Sequence, residues 1–337
     1  GHVFLSTYIF ETNQTGLDFI DALGRAAARG VDTRVIVDGV GELYSRPRAS
    51  RLLAKRGVHV AKFLPPRLIP PMLHINLRNH RKVLITDGQL AFTGGMNIGD
   101  RHLADVIDNP DRVVDAHFRI RGPVVGQLQR VFLESWAFVT QKTPEDFPAD
   151  ASEAGTAMCR TIIDGPDEDF DKLLSVLLVA VSAAREQVAI MTPYVIPPRE
   201  LVGALKSAAL RGVDVAVILP GRNNLPFMHW ASRNMLWELL QRGVRIYLQP
   251  PPFVHTKLLM VDRHYVQVGS ANVDPRSLRL NFELVVEIYD RDFAATVDRH
   301  FESARRRSRE VTLEAVDSRP LPARARDALA WLLTPYL

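Results

Sequence analysis

The chain has 337 residues, 47% hydrophobic and 24% charged, with a formal net charge of +4. This suits one large or two medium globular domains and an anionic partner. Its one cysteine, Cys159, excludes a disulfide framework and a cysteine-rich metal site, and no apolar run reaches the ~20 residues of a membrane span.

In chain order, strand patterns fall near residues 2–9, 32–38, 58–63, 80–86, 89–94 and 113–121. Helical periodicity falls near 15–29, 46–57 and 122–140. Residues 141–157, rich in proline, alanine and acid, read as a linker. Strands resume near 158–164, 187–193, 214–219, 244–249, 255–261, 264–269 and 281–289, with helices near 167–186, 199–211, 227–242 and 291–308. Alternating strands and amphipathic helices argue for an α/β fold layered α/β/α.

The two halves repeat each other. Val3-Phe4-Leu5-Ser6-Thr7-Tyr8-Ile9 resembles Val188-Ala189-Ile190-Met191-Thr192-Pro193-Tyr194, and Arg29-Gly30-Val31-Asp32 resembles Arg211-Gly212-Val213-Asp214. The chain therefore divides into a first repeat at 1–140, the linker, a second repeat at 158–310 and a tail at 311–337. A helix precedes the strand near Gln187, whereas the first repeat opens directly on its strand at His2. The repeat leads us to expect a leading helix, cut away, before residue 1. In the tail, Arg324 and Arg326 beside Leu329, Trp331, Leu332 and Leu333 suit an interfacial helix or one docked on its own core. Leu225 to Trp230 reads as a lipid entrance or as the first turn of a core helix.

One signature occurs twice. His80-Arg81-Lys82 leads to Asp87 and then Gly94-Gly95-Met96-Asn97; His255-Thr256-Lys257 leads to Asp262 and then Gly269-Ser270-Ala271-Asn272. Histidine and lysine two residues apart in a strand share a face. Two histidines can supply a nucleophile and a proton donor on opposite sides of a phosphorus. Lys82, Lys257, Asn97 and Asn272 can neutralise the non-bridging oxygens of a phosphodiester. Asp87 and Asp262 belong to the signature, but they sit before turns, where a turn or salt-bridge role suits them better. His74 is a candidate for the cleft wall. His2, His59, His102, His229, His264 and His300 read as structural. No H-E-x-x-H and no carboxylate run of a two-metal site occurs, so neither a metal nor another cofactor is expected.

The duplicated HxKx4D pattern with its trailing G-[GS]-x-N resembles the phospholipase D superfamily. Within it the chain resembles bacterial cardiolipin synthases through Thr7-Tyr8-Ile9-Phe10, Asn79-His80-Arg81-Lys82, Phe92-Thr93-Gly94-Gly95-Met96-Asn97-Ile98, Thr192-Pro193-Tyr194, His255-Thr256-Lys257, and the run from Gly269 to Leu278 followed by Asn281-Phe282-Glu283. The resemblance runs from the first strand to about residue 310. It implies two pseudo-symmetric α/β/α sandwich repeats packed around one active site. It implies transfer of a phosphatidyl group from one phosphatidylglycerol to another, giving cardiolipin and glycerol. The implied intermediate is a phosphatidyl-enzyme on His80, with His255 handling the alcohol proton; the two roles are exchangeable. The resemblance also implies an acid that holds the histidine of its own half, Asp115 on His80 and Glu283 on His255. A bacterial cytoplasmic membrane surface is the implied location, with peripheral attachment or an anchor before residue 1. No basic tract interleaved with aromatics suggests a nucleic-acid groove, so no nucleic-acid partner is expected. A hydrolytic phospholipase D, or another phosphodiesterase or nuclease of this fold, is the alternative.

Overall fold

Strand residues alternate between two buried faces. In Gln187–Met191, Val188 and Ile190 pack outward against helices of the second half, while Ala189 and Met191 face inward. In Asp214–Pro220, Val215 and Val217 face outward and Ala216 and Ile218 inward. The first half repeats the pattern, with Leu5, Val35 and Val37 outward and Phe4 and Ile36 inward. These assignments come from a computed structural model that describes residues 1–68, 71–72, 76–143, 145–166 and 170–334. His74 lies outside the described residues, as do residues 167–169 at the expected start of a helix and 335–337 of the tail.

The first sheet has the order His59–Phe63, Asp32–Asp38, His2–Thr7, Val83–Thr86, Leu90–Gly94, His117–Arg121. Its first three strands are parallel, with Leu5 beside Val35, and Leu5 also pairs antiparallel with Leu84. The second sheet repeats this order as Arg245–Gln249, Asp214–Pro220, Gln187–Met191, Leu258–Val261, Tyr265–Gly269, Glu283–Tyr289. It adds Met158–Asp164 at one edge and Arg309–Val311 at the other. Helices Gln14–Ala28 and Ala49–Ala54 cover the outer face of the first sheet; Lys172–Ala183, Arg199–Leu210 and Pro226–Leu240 cover that of the second. The helices Val124–Thr140 and Arg291–Arg307 lie on the inner faces, where Phe4, Phe132, Met260 and Phe301 share one continuous core. Each half is thus an α/β/α sandwich, and the two are joined through their inner layers.

Three departures from the sequence reading have physical causes. The helix expected at 46–57 is confined to Ala49–Ala54, because Pro47 disfavours helical backbone at Arg46. The strands that follow the two histidine motifs begin at Val83 and Leu258, later than expected at 80 and 255. The strand expected at 113–121 breaks into Val113–Val114 and His117–Arg121. The last two departures share a cause. Val113–Val114 leaves its own sheet to pair with Phe253–Val254 of the other half, and Asn79 bridges to Phe282 in the matching way. The short helices Pro275–Arg279 and Leu313–Asp317 and the strand Arg309–Val311 were not anticipated. The first had a readable signal in Asp274-Pro275, an N-cap followed by proline at the first helical turn.

Asp87 and Asp262 lie at the strand ends away from the motif histidines. Asp262 accepts hydrogen bonds from the amides of Arg185, Glu186 and Gln187 at 2.8–2.9 Å, and Asp87 accepts from His2 N at 2.8 Å. The structure therefore places both away from the histidines, as clamps on the start of the neighbouring strand. Asp262→Ala should cost about 1.5–3 kcal/mol of stability in urea denaturation and keep kcat within about twofold. Lost turnover at unchanged stability would return this residue to the chemistry.

Candidate active site

The segments before the two catalytic strands are extended but pair across the halves. His80 N donates to Phe282 O at 2.9 Å, and His255 N donates to Val114 O at 2.7 Å. Each histidine is therefore registered against the strand of the opposite half that carries the next residue, an acid. His80 Nδ1 lies 3.0 and 3.1 Å from the two carboxylate oxygens of Glu283. His255 Nδ1 lies 2.7 Å from Asp115 Oδ2. The pairs are crossed: Asp115 holds His255 and Glu283 holds His80, correcting the own-half pairing implied by the resemblance. The reason is the backbone exchange just described.

Both acids are fully buried and each histidine side chain is 12% exposed. Nδ1 bound to a carboxylate carries the proton, which leaves Nε2 as the reactive nitrogen. Burial lowers the basicity of His80, against the pull of Glu283. Burial, reinforced by Lys257, lowers His255 to about 3 despite Asp115. Burial works to raise Asp115 and Glu283, yet both end below the usual carboxylate range. For Asp115 the opposing charges are Lys257 and His255; for Glu283 they are His80 and Lys82.

Lys82 and Lys257 are buried. Each donates to the carbonyl of its own histidine, at 2.8 and 2.7 Å. Lys257 Nζ also lies 3.0 Å from His255 Nδ1. Burial brings Lys82 down to about 7 and Lys257 to about 8. The amide oxygen of Asn97 accepts from Ile9 N at 3.2 Å; that of Asn272 is buried without a partner. Gly94 and Gly269 make these approaches possible, since a Cβ on either would stand 2.4 or 2.3 Å from a carbonyl oxygen of the neighbouring strand.

His80, His255, Asn97 and Asn272 line one cavity of about 440 Å³. The lysines stand outside its wall. The wall also holds residues the sequence reading did not assign to the site. Tyr8 packs edge-on against His80 at 5.1 Å between ring centres, and Tyr194 does the same to His255 at 6.4 Å. Their matched places in the two repeats were the available signal. Arg78, buried against Asp38 at 3.1 Å, and Arg276 add cations. His102, read as structural, also stands in this wall. His2 is structural, bonded to Gln129 at 2.6 Å. Leu225, Phe227 and Met228 stand at the start of a helix, as one of their two readings had it, and also line the cavity. Among the described residues no group of three or more His, Cys, Asp or Glu side chains is gathered as for a metal ion.

Two half-sites of this composition, joined across paired α/β/α sandwiches, define an enzyme of the phospholipase D type. Residues 1–136 and 177–305 match the family described as cardiolipin synthase, PLD-like domain. The chain belongs to that family. It is 34% identical over 343 residues to the major cardiolipin synthase ClsA of Bacillus subtilis, an alignment covering 100% of this chain and 70% of that protein. It is 32% identical to a cardiolipin synthase of Staphylococcus aureus, with 100% and 69% covered. Among solved structures it is similar to the phosphatidylserine synthase of Haemophilus influenzae, at TM-score 0.77 and 15% identity, covering 100% of this chain and 90% of that one. At that identity the likeness speaks for the fold.

The crossed pairing has a direct spectroscopic test. With ¹⁵N-labelled histidine, Asp115→Asn should move the ring nitrogen shifts of His255 and leave those of His80 in place. Glu283→Gln should do the reverse. The opposite pattern would restore own-half pairing.

Proposed function

We propose that this enzyme joins two phosphatidylglycerol molecules into cardiolipin, releasing glycerol, through a covalent phosphohistidine. The observation that carries the reading is the pair of carboxylate-backed imidazoles in one cavity. Nε2 of His80 attacks phosphorus and the bond to the glycerol oxygen breaks, while His255, protonated, gives that oxygen its proton. Neutral His255 then takes the proton from the free hydroxyl of a second phosphatidylglycerol. That oxygen attacks phosphorus and the phosphorus–nitrogen bond breaks. Burial disfavours protonation of both imidazoles; the arriving phosphodiester brings the negative charge that favours protonating one of them. Lys82, Lys257, Asn97 and Asn272 are the groups we assign to the phosphate oxygens. Arg78 and Arg276 add positive charge for anionic substrates.

A lipid bilayer, in a bacterium the cytoplasmic membrane, is the partner we assign to the cavity mouth. Leu103, Val106 and Ile107 are exposed, the last by 77%, on a loop bounded by the cavity residues His102 and Val113. Exposed Leu43, Tyr44 and Leu225 lie beside or within the same wall. Such a rim suits shallow insertion among headgroups. The tail helix Leu321–Leu332 docks on Pro226–Leu240 through Asp327 and Ala330 yet leaves Leu329 and Leu332 exposed. No helix of the described residues is long and apolar enough to cross a membrane.

Phosphatidylglycerol in mixed micelles should give cardiolipin and free glycerol, identified by mass, and added glycerol should drive the reverse reaction. His80→Ala and His255→Ala should each lower turnover at least about a thousandfold with the fold retained. Phosphatidic acid as the dominant product at saturating acceptor would assign a hydrolase instead.

The lysines set a pH dependence. Each is charged below its pKa and neutral above it, and the anionic substrate needs the charged form. For a soluble short-chain substrate, kcat/KM should therefore fall as pH rises through about 7 to 8, the values of Lys82 and Lys257. A profile flat from about pH 6 to 9 would remove them from the phosphate clamp.

A further inference from the structure

A second cavity, of about 290 Å³, shares a thin wall with the first. Alternate residues of one extended segment face the two spaces. Pro193 and Val195 line the second cavity, and Tyr194 lines the catalytic one. Asn223 lines the second and donates to Pro193 O at 3.1 Å; Asn224 lines the first and accepts from the Tyr194 hydroxyl at 2.7 Å. On the helix Pro226–Leu240, Phe227 and Met228 face the catalytic cavity, while His229, Ser232, Arg233 and Leu236 face the second.

The chemistry of this cavity is one-sided. Arg233, Arg309 and Arg319 line it with His229, and among the described residues no carboxylate does. An acid paired with two of these arginines is Asp327, fully buried on the tail helix. It faces three guanidiniums at once, Arg319 at 2.5 Å, Arg326 at 2.6 Å and Arg233 at 3.7 Å. One negative charge cannot balance three positive ones. Arg309 is placed by the pairing of its strand with Leu248, is exposed, and makes no side-chain hydrogen bond or ion pair to another described residue. Burial, with Arg233 beside it, pulls Arg319 below its ordinary range against Asp327. Burial and Arg233 likewise lower His229. In both, burial is the larger cause and the charge of Arg233 acts in the same direction. The reaction proposed above uses none of these residues.

We propose that this arginine-lined cavity binds a phosphate group, free or on a lipid headgroup, at a site separate from the catalytic one. Guanidinium forks match phosphate oxygens through paired charge-assisted bonds. Arg309 and Arg233 are the forks available to it, with the His229 ring and the Ser232 hydroxyl as further polar contacts. An occupant would bear on the helix and the extended segment that hold Tyr194, Phe227 and Met228 in the catalytic wall.

The test is calorimetric titration of the full chain with inorganic phosphate. Two phosphates should bind, one per cavity. Arg309→Gln should weaken one of them about tenfold, and Arg233→Gln with Arg309→Gln should abolish it. Lys257→Gln should remove the other. The Arg309 side chain bonds to no other described residue, so its single variant tests the site without unfolding the chain. Two phosphates retained in the double variant, or a single phosphate lost only in Lys257→Gln, would overturn the proposal. A single phosphate lost only with Arg309 would keep this site and instead count against the catalytic clamp. Vesicles of phosphatidylcholine with and without phosphatidic acid separate the two sources. Weaker binding of Arg309→Gln to the phosphatidic acid vesicles identifies a lipid headgroup. Unchanged vesicle binding, with the phosphate loss standing, identifies a soluble ligand.

Discussion

Each motif histidine is held by a buried carboxylate from the other half, and the rest of the site follows from that exchange. A buried carboxylate without its partner costs about 3–5 kcal/mol. Asp115 and Glu283 therefore cannot be buried as they are unless both halves are in place. With Lys82 and Lys257 the buried set is two acids and two lysines, closed only on assembly. The common inner core does the same work in apolar terms, since Phe4, Phe132, Met260 and Phe301 are buried by one another across the halves. Two folds that could each have covered their own inner face instead share one, and the catalytic register is locked by that sharing.

The lysines show why burial matters to chemistry as well as to folding. Arginine would remain charged at this depth at any working pH. Lysine does not, and burial brings both motif lysines close to neutrality. Each amine donates to a backbone carbonyl of its own histidine. On the proposed reaction, a lysine poised in this way responds to an arriving phosphodiester beside the imidazole that changes protonation in the same step. Protonation of lysine and imidazole is therefore coupled through Lys257 and His255, which lie 3.0 Å apart.

Much of this was legible in the sequence because it was written twice. The succession of strands and helices, the α/β/α layering and the convergence of His80, His255, Asn97 and Asn272 follow from repeats whose spacing matches; the order of strands within each sheet comes from the structure. What escaped reading depends on contacts between the copies. The family resemblance implies that each half serves itself, with Asp115 on His80, and nothing in residue type or spacing reports that Val113–Val114 crosses to Phe253–Val254. The same limit hid the early end of sheet pairing at His80 and His255. Residues present in one copy alone, such as Arg78 and the arginines of the tail, had no second copy to mark them.

On the proposed reaction the two half-sites act almost symmetrically, but the walls around them differ. Tyr44 and Arg101 line the cavity from the first half and Phe227, Met228 and Phe253 from the second, while Arg78 and Arg276 come one from each. On the proposed reaction that asymmetry suffices for both substrates. The alcohol that leaves in the first step and the alcohol that attacks in the second are the same chemical group, a glycerol hydroxyl. Each must sit opposite the same phosphorus–nitrogen bond and exchange its proton with the same imidazole. Microscopic reversibility then requires one alcohol subsite, emptied by glycerol and refilled by the second lipid. What separates transfer from hydrolysis is the occupant of that subsite between the two steps. An apolar rim set against a bilayer presents lipid hydroxyls there at high local concentration and limits the approach of water.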